Sequence, residues 1–243
     1  VMQEKLPKNA RLFDQAKYID QVQKAMKDYN FVDVRDTLMD HNDEYIYYKT
    51  DHHWTSAGAC LAYDVWSERT GGEAETEDGL VKNVVSDKFR GSLYSKILDA
   101  DSAYDEIWTY GLQKDDAFGS KDCTVTIDEK QQLDSIYDDE MLQKKDKYAY
   151  FLSGNYGQVH IQNQKAASKA KGKNILIIKD SFANSFVPFV TQDYENIYMV
   201  DLRYYNGDMK SYLQEHNITD VLVLYNISNF ISDRNLHKLT GGI

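Results

Sequence analysis

The run Ile175-Leu176-Ile177-Ile178 constrains the fold more than any other stretch of the chain. Continuous apolar residues of this length suit a strand covered on both faces, as in sheets flanked by helices. Two further strand-like runs follow, Ile197-Tyr198-Met199-Val200 and Val221-Leu222-Val223-Leu224. Between them lie a short helical stretch near Phe182–Phe186, disturbed by Pro188, and another around Met209–Glu215. Strand–helix–strand–helix–strand requires right-handed crossovers and a parallel sheet. The sequence therefore predicts an α/β fold with three layers around a mostly parallel sheet.

The remaining elements are expected to attach to that sheet. Residues 12–29 repeat apolar side chains at helical spacing (Phe13, Ala16, Tyr18, Ile19, Val22, Ala25, Met26). Phe31–Val34 and Glu44–Tyr48 read as short strands of the same sheet. Thr55 and Ser56 offer N-caps to a helix that runs to about Thr70 and stops at Gly71-Gly72. Between 73 and 150 the pattern breaks up. Ile107–Tyr110, Cys123–Ile127 and Tyr148–Leu152 are β-rich runs separated by acidic, loop-like stretches, read as an irregular insertion or cap on a single domain spanning 1–243.

Charge narrows the partners. There are 28 Lys+Arg against 39 Asp+Glu, a net charge of −11. That balance opposes nucleic acid, which needs a basic surface, and equally an anionic membrane surface. Lys165–Lys173 carries four lysines but is flanked by acidic stretches. The apolar runs are too short to cross a bilayer. Val1-Met2-Gln3-Glu4 reads neither as a signal peptide nor as a natural start, and the expectation is a chain trimmed of an export signal or membrane anchor. Cys60 and Cys123 are the only cysteines. They read as small buried apolar side chains, with a single disulfide as the other reading.

Two segments carry chemistry. Lys179-Asp180-Ser181-Phe182-Ala183-Asn184-Ser185 follows the buried strand and opens a helix. Ligands of open parallel sheets bind outside the carboxyl ends of the strands. A serine there can attack a carbonyl while helix N–H groups receive the developing oxyanion. Ser181 also suits the plainer role of helix cap. Lys49-Thr50-Asp51-His52-His53-Trp54-Thr55 lies between a strand and a capped helix. A serine hydroxyl needs a base, and the base needs a third group to hold its tautomer. Asp51 and His53 alternate, which sends both side chains to one side and His52 to the other. A hydrogen-bonded structural histidine is one competing reading. A metal site drawing on His41, Asp43, Asp51, His52 and His53 is another, although adjacent histidines do not easily share one metal and no His-x-x-x-His pair is present.

Asp51-His52-His53-Trp54-Thr55, Phe151-Leu152-Ser153-Gly154-Asn155-Tyr156, Lys179–Ser185 and Asp201-Leu202-Arg203-Tyr204-Tyr205 together resemble the bacterial DHHW protein family. That family is similar to the SGNH-hydrolase-like domains of alginate and cell-surface polysaccharide O-acetyltransferases. The resemblance spans roughly Asp33 to Ile231. It implies a triad with Ser181 as nucleophile, His53 as base and Asp51 as its orienter. Ordinary SGNH hydrolases carry Asp-x-x-His near the C-terminus. Asp233-Arg234-Asn235-Leu236-His237 is one residue too long for that pattern, which favours His53 and leaves His237 as a rival base. The glycine that precedes Asp-Ser in those relatives is Lys179 here. Asn155 matches the asparagine that binds the oxyanion, or is a turn residue. Arg203 ends a strand on the ligand edge and either binds an acyl oxygen or a sugar carboxylate, or makes a surface ion pair. Of nineteen tyrosines, Tyr45 and Tyr47 read as strand packing, whereas Tyr48, Tyr204 and Tyr205 are open between packing and sugar stacking.

The resemblance implies an extracytoplasmic serine O-acyltransferase or esterase. It would act on acetyl groups of a cell-surface or exopolysaccharide glycan through an acyl-serine, without metal or other cofactor. A membrane-bound O-acyltransferase is the implied partner and acetyl donor. A catalytically silent glycan-binding or scaffold protein of the same fold is the alternative, and a metal-dependent hydrolase built on Asp51, His52 and His53 is a third. With His53 as base, activity should fall below a pH of about 6–7.

Overall fold

A computed structural model describes residues 9, 13–71, 79–98 and 101–240. Its main sheet has six strands in the order β4-β3-β5-β7-β6-β8: β3 (Cys123–Ile127), β4 (Gln131–Leu133), β5 (Gln158–Asn163), β6 (Asn174–Lys179), β7 (Asn196–Val200) and β8 (Asp220–Leu224). A separate antiparallel ribbon pairs β1 (Val81–Phe89) with β2 (Asp105–Gly111).

The three C-terminal strands are parallel, with β6 between β7 and β8. The sheet as a whole is mixed rather than mostly parallel, because β4, β3 and β5 extend it through three antiparallel pairings. The β3–β4 link is a tight turn with Asp128 and Glu129 both in the left-handed region (φ 45° and 59°), which forces adjacent antiparallel strands. Part of the stretch read as an insertion or cap thus belongs to the main sheet. Among the described residues of that stretch, the β1–β2 ribbon, α4 (Ser92–Ile97), the loop between β2 and β3 and the turns after β4 stand apart from it, while residues 73–78 and 99–100 lie outside the described ones.

Helices cover both faces. Ile175 and Ile177 of β6 join Ile197, Met199, Val159 and Ile161 against α3 (Ser56–Arg69) and α5 (Ala183–Val190), where Tyr63, Trp66, Phe186 and Phe189 are buried. Leu176 and Ile178 face the other way, with Tyr198 and Val200, onto Met209 and Tyr212 of α6 (Met209–Glu215) and the closing 3₁₀ turn Leu236–Thr240. Alternation along β6 therefore feeds two cores. The helix α5 runs through Pro188 to Val190 instead of stopping before it, and every residue in it is buried. Packing there outweighs the lost backbone bond. The chain then passes through α7 (Ile227–Ser232).

The N-terminal region departs from expectation. Its helix α1 (Gln15–Ala25) is capped by Asp14 and lies on the surface with no fully buried residue. Phe31–Val34 is not a strand. Asp33 accepts from the backbone and guanidinium of Arg35, and this local pairing turns the chain into α2 (Arg35–Asp40). Glu44–Tyr48 is not a sheet strand either. It folds back on its own loop through the bridge Tyr47–Trp54 and the bonds Tyr48 N–H to His53 O (3.2 Å) and Thr55 N–H to Ile46 O (2.9 Å). Tyr148–Leu152 begins as a 3₁₀ turn, Lys147–Tyr150. The α3 helix forms where expected, with the Thr55 side chain capping Gly58 N–H. Gly71 closes it at φ +84°, and Gly72 lies outside the described residues. Cys60 and Cys123 are both buried and are not joined by a disulfide. No helix among the described residues is long and apolar enough to cross a membrane.

Candidate active site

Two loops meet at the carboxyl end of β6. The first, residues 49–55, is nailed to the ribbon by the buried carboxylate of Asp105. Asp105 accepts from the N–H groups of Lys49 (2.9 Å) and Thr50 (2.7 Å) and from the hydroxyls of Thr50 and Tyr45. Thr50 O in turn receives the N–H groups of Leu93 and Tyr94 at the start of α4. Gly91 is required beside it, since a Cβ there would lie 2.3 Å from Asp51. Asp105 and Gly91 carry no local motif that marks them in the sequence.

Within this frame Asp51 Oδ1 accepts the His53 backbone N–H (3.0 Å) and His53 Nδ1–H (2.5 Å), while Oδ2 accepts Ser92 N–H (2.7 Å). His53 Nε2 stands 2.7 Å from Ser181 Oγ. A carboxylate only accepts, so the ring proton sits on Nδ1 and Nε2 is left to accept from the serine hydroxyl. Burial opposes the charge on Asp51, but its hydrogen bonds with His52, His53 and Ser92 hold the carboxyl well below the usual range. Burial also dominates at His53 and pushes the imidazole below its ordinary 6.5, against the pull of Asp51. The base is therefore neutral at neutral pH.

The second loop, residues 179–185, turns from β6 into α5. Asp180 is buried and holds this turn to the β8–α7 loop. Oδ1 accepts Phe182 N–H (2.9 Å), and Oδ2 accepts Asn226 N–H and Asn229 Nδ2–H (both 2.8 Å). Burial raises its carboxyl, opposed by these bonds. The N–H groups of Phe182, Ala183 and Asn184 are all engaged, so the expected array of free helix N–H groups is absent beyond Ser181. Ser181 N–H makes no hydrogen bond among the described residues.

Two aromatic residues join the loops. Trp54 Nε1–H donates to Phe182 O and Ser185 Oγ, both at 3.0 Å. Tyr148 stacks flat on His53 (ring centroids 3.7 Å apart, planes 6° apart) and donates its hydroxyl to Ser181 O at 3.0 Å. In the sequence Tyr148 stands only in a β-rich run. Nothing local in its sequence marks it as the residue that fixes the imidazole plane. Tyr48 is buried beside it, packed on Phe89 and Tyr148 rather than open to a sugar.

The other sequence candidates fall outside this hydrogen-bonded chain. Asn155 is exposed, and its Oδ1 accepts from Lys179 Nζ (2.9 Å). Arg203 makes a two-point ion pair with Asp201 (2.9 and 2.6 Å), and Tyr204 lies against its guanidinium, half-exposed. Neither bonds to Ser181 or His53. His237 is exposed and pairs with Arg234 O, and Asp233 accepts from Tyr225 and Asn235, so that pair is not assembled at Ser181. His52 does not turn fully away. Its ring lies 3.9 Å from that of His53 and its Nδ1 meets Ser92 Oγ at 2.6 Å. Asp51, His52 and His53 could together offer three ligands to a cation. However, both nitrogens of His53 are already committed, so a metal would have to displace the bond to Asp51 or the bond to Ser181.

Fold and site define a class: an α/β protein whose mixed sheet carries a hydrogen-bonded Ser–His–Asp chain at the end of a central parallel strand. The chain belongs to the DHHW protein family, whose model matches residues 10–200. A DHHW family protein from Eubacterium siraeum shares the fold at a TM-score of 0.80 and 23% identity, over 98% of this chain and 78% of its own. Bacillus cereus PatB1 carrying a sulfonyl adduct follows at 0.74 and 22%, over 96% and 79%. The O-acetyltransferase domain of Pseudomonas putida AlgJ is more distant, at 0.51 and 12%, over 96% and 72%. No curated protein matches the chain.

Proposed function

We propose that this protein is a serine-dependent O-acyltransferase or esterase that handles acetyl groups of a cell-surface or exopolysaccharide glycan. The observation that carries the reading is the unbroken chain from Ser181 Oγ to His53 Nε2 (2.7 Å) and from His53 Nδ1 to Asp51 Oδ1 (2.5 Å). Ser181 Oγ attacks the acyl carbonyl as its proton passes to Nε2. Ser181 N–H and the Asn155 amide receive the oxyanion. Collapse breaks the bond to the leaving oxygen, which takes the proton from Nε2, and leaves acyl-Ser181. A sugar hydroxyl or water then gives its proton to Nε2 as it attacks the acyl carbon, and collapse breaks the bond to Ser181 Oγ, which takes that proton back from Nε2 and leaves as the free serine. Asp51 stabilises the imidazolium at each proton transfer without being protonated itself.

Two of the fold's relatives support the chemistry: one is an O-acetyltransferase domain, and another is solved with a sulfonyl adduct. Glycan as acceptor, an extracytoplasmic location and a membrane-bound O-acyltransferase as acetyl donor belong to the same reading and rest on the family resemblance. The test is turnover of a chromogenic acetyl ester together with mass-spectrometric detection of a sulfonyl adduct. Wild type should turn over and be labelled at Ser181, and Ser181→Ala should lose both. Turnover that survives Ser181→Ala ends the acyl-serine reading.

A further inference from the structure

We propose that Lys179 is a positioning residue for this acyl transfer: its buried ammonium fixes the Asn155 side-chain amide so that the amide NH₂ is presented to the oxyanion formed at Ser181. The inference rests on the acyl-serine reading above.

Lys179 is 1% exposed, at the very end of β6 and two residues before the serine. A lysine so deep is ordinarily paired with a carboxylate. Here the two carboxylates that pull on it are engaged elsewhere, Asp201 on both oxygens by Arg203 and Asp180 by Phe182 N–H, Asn226 N–H and Asn229. The ammonium instead donates to two amide oxygens, Asn155 Oδ1 at 2.9 Å and Asn184 Oδ1 at 2.6 Å. Burial pushes it down to about 8, against the pull of Asp201 and Asp180, so it is largely cationic at neutral pH.

A cation on a side-chain carbonyl oxygen does two things to that amide. It removes the flipped orientation, because NH₂ cannot face an ammonium. It also draws charge toward the oxygen and makes the N–H groups stronger donors. The Asn155 amide nitrogen donates to no group among the described residues, so its strengthened N–H groups are free for a ligand.

The backbone around Asn155 is built to hold it. Leu152, Ser153 and Gly154 are all left-handed (φ 61°, 57° and 121°), a costly arrangement for two side-chain-bearing residues. It is retained by Leu152 N–H to Ile136 O (2.8 Å), Ser153 Oγ to Asp138 (2.7 Å) and Tyr156 hydroxyl to Ser153 O (2.9 Å). Asn184, in the first turn of α5, donates to Gly154 O (3.1 Å) and Asn155 Oδ1 (3.3 Å). Lys179 therefore ties the strained loop to the turn that carries the nucleophile.

A double-mutant cycle tests this, with kcat and KM measured on a small acetyl ester and folding followed by thermal melts. Lys179→Met and Asn155→Ala should each lower kcat by roughly 30- to 100-fold with KM little changed. The double variant should be no slower than the slower single one, since Lys179 acts through Asn155, directly and by way of Asn184. Multiplying losses overturn the proposal, as does Lys179→Met at wild-type speed. If Lys179→Met does not fold, Lys179→Ala, which leaves room for water where the ammonium stood, takes its place in the cycle. Loss of the underlying reading shows separately, as Ser181→Ala that still turns over.

Discussion

Replacing Asp51 by asparagine asks whether the carboxylate holds the tautomer of His53. Its two oxygens serve three donors: the His53 backbone N–H and Nδ1–H on Oδ1, and Ser92 N–H on Oδ2. Asparagine has one acceptor oxygen. With that oxygen at the Oδ1 position, its NH₂ faces Ser92 N–H and strands buried donors, at a cost of about 1–3 kcal/mol of stability. With the amide reversed, NH₂ faces Nδ1, the ring proton moves to Nε2, and the nitrogen beside Ser181 can no longer take the hydroxyl proton. A populated wrong tautomer lowers turnover by roughly 10³- to 10⁴-fold, equivalent to about 4–5.5 kcal/mol of transition-state stabilisation. Activity should therefore fall much further than stability. The measurement is kcat/KM for acetyl-ester hydrolysis near neutral pH, set beside the melting curve of the same sample. Activity within about tenfold of wild type in a folded Asp51→Asn protein would refute the tautomer argument.

The pH profile of kcat/KM should show an acid limb below 6.5, because burial lowers the His53 imidazole and the base must be neutral; a limb at 7 or above contradicts this. The same depression has a sign for stability. The unfolded chain takes up the proton first, so the His53 contribution declines as pH drops from 6.5 and is fully lost below the folded-state value, which melts across that range would reveal. Gly91→Ala places a Cβ 2.3 Å from Asp51 and should cost about 1–3 kcal/mol of stability and at least tenfold in kcat/KM; normal turnover would show that the loop tolerates displacement of the carboxylate. Chelators should leave turnover unchanged, since both His53 nitrogens are engaged by protein groups; loss on chelation, restored by one divalent cation, would replace the base by a metal.

Local sequence determined the strongest elements and the candidate site residues. The Ile175–Ile178 run could hardly be other than a strand covered twice, because alternate residues in it are equally apolar, and β6 does feed both cores. The β7, α6 and β8 segments carry their own periodicity, and Thr55 marks its helix by a cap. The Asp51–His53 spacing and the Ser181 turn were likewise legible, although alternation did not send His52 to the other side, since the loop bends there and its ring lies beside that of His53. Pairing was not. Phe31–Val34 and Glu44–Tyr48 have strand-like composition, but Asp33–Arg35 and the 46–55 loop satisfy their backbone locally, a competition that composition does not encode. The antiparallel half of the sheet depended on a turn at Asp128-Glu129 and on β5, whose alternation rests on only two apolar residues, Val159 and Ile161, too short a signal to fix its pairing. Above all, only tertiary structure brought His53 to Ser181 across 128 residues of chain, with Tyr148, Trp54, Asp105 and Lys179 supporting them from four separate places. Those supports are ring contacts and hydrogen bonds, most of them from a side chain to a distant stretch of backbone, and no window of residues read by itself contains both partners.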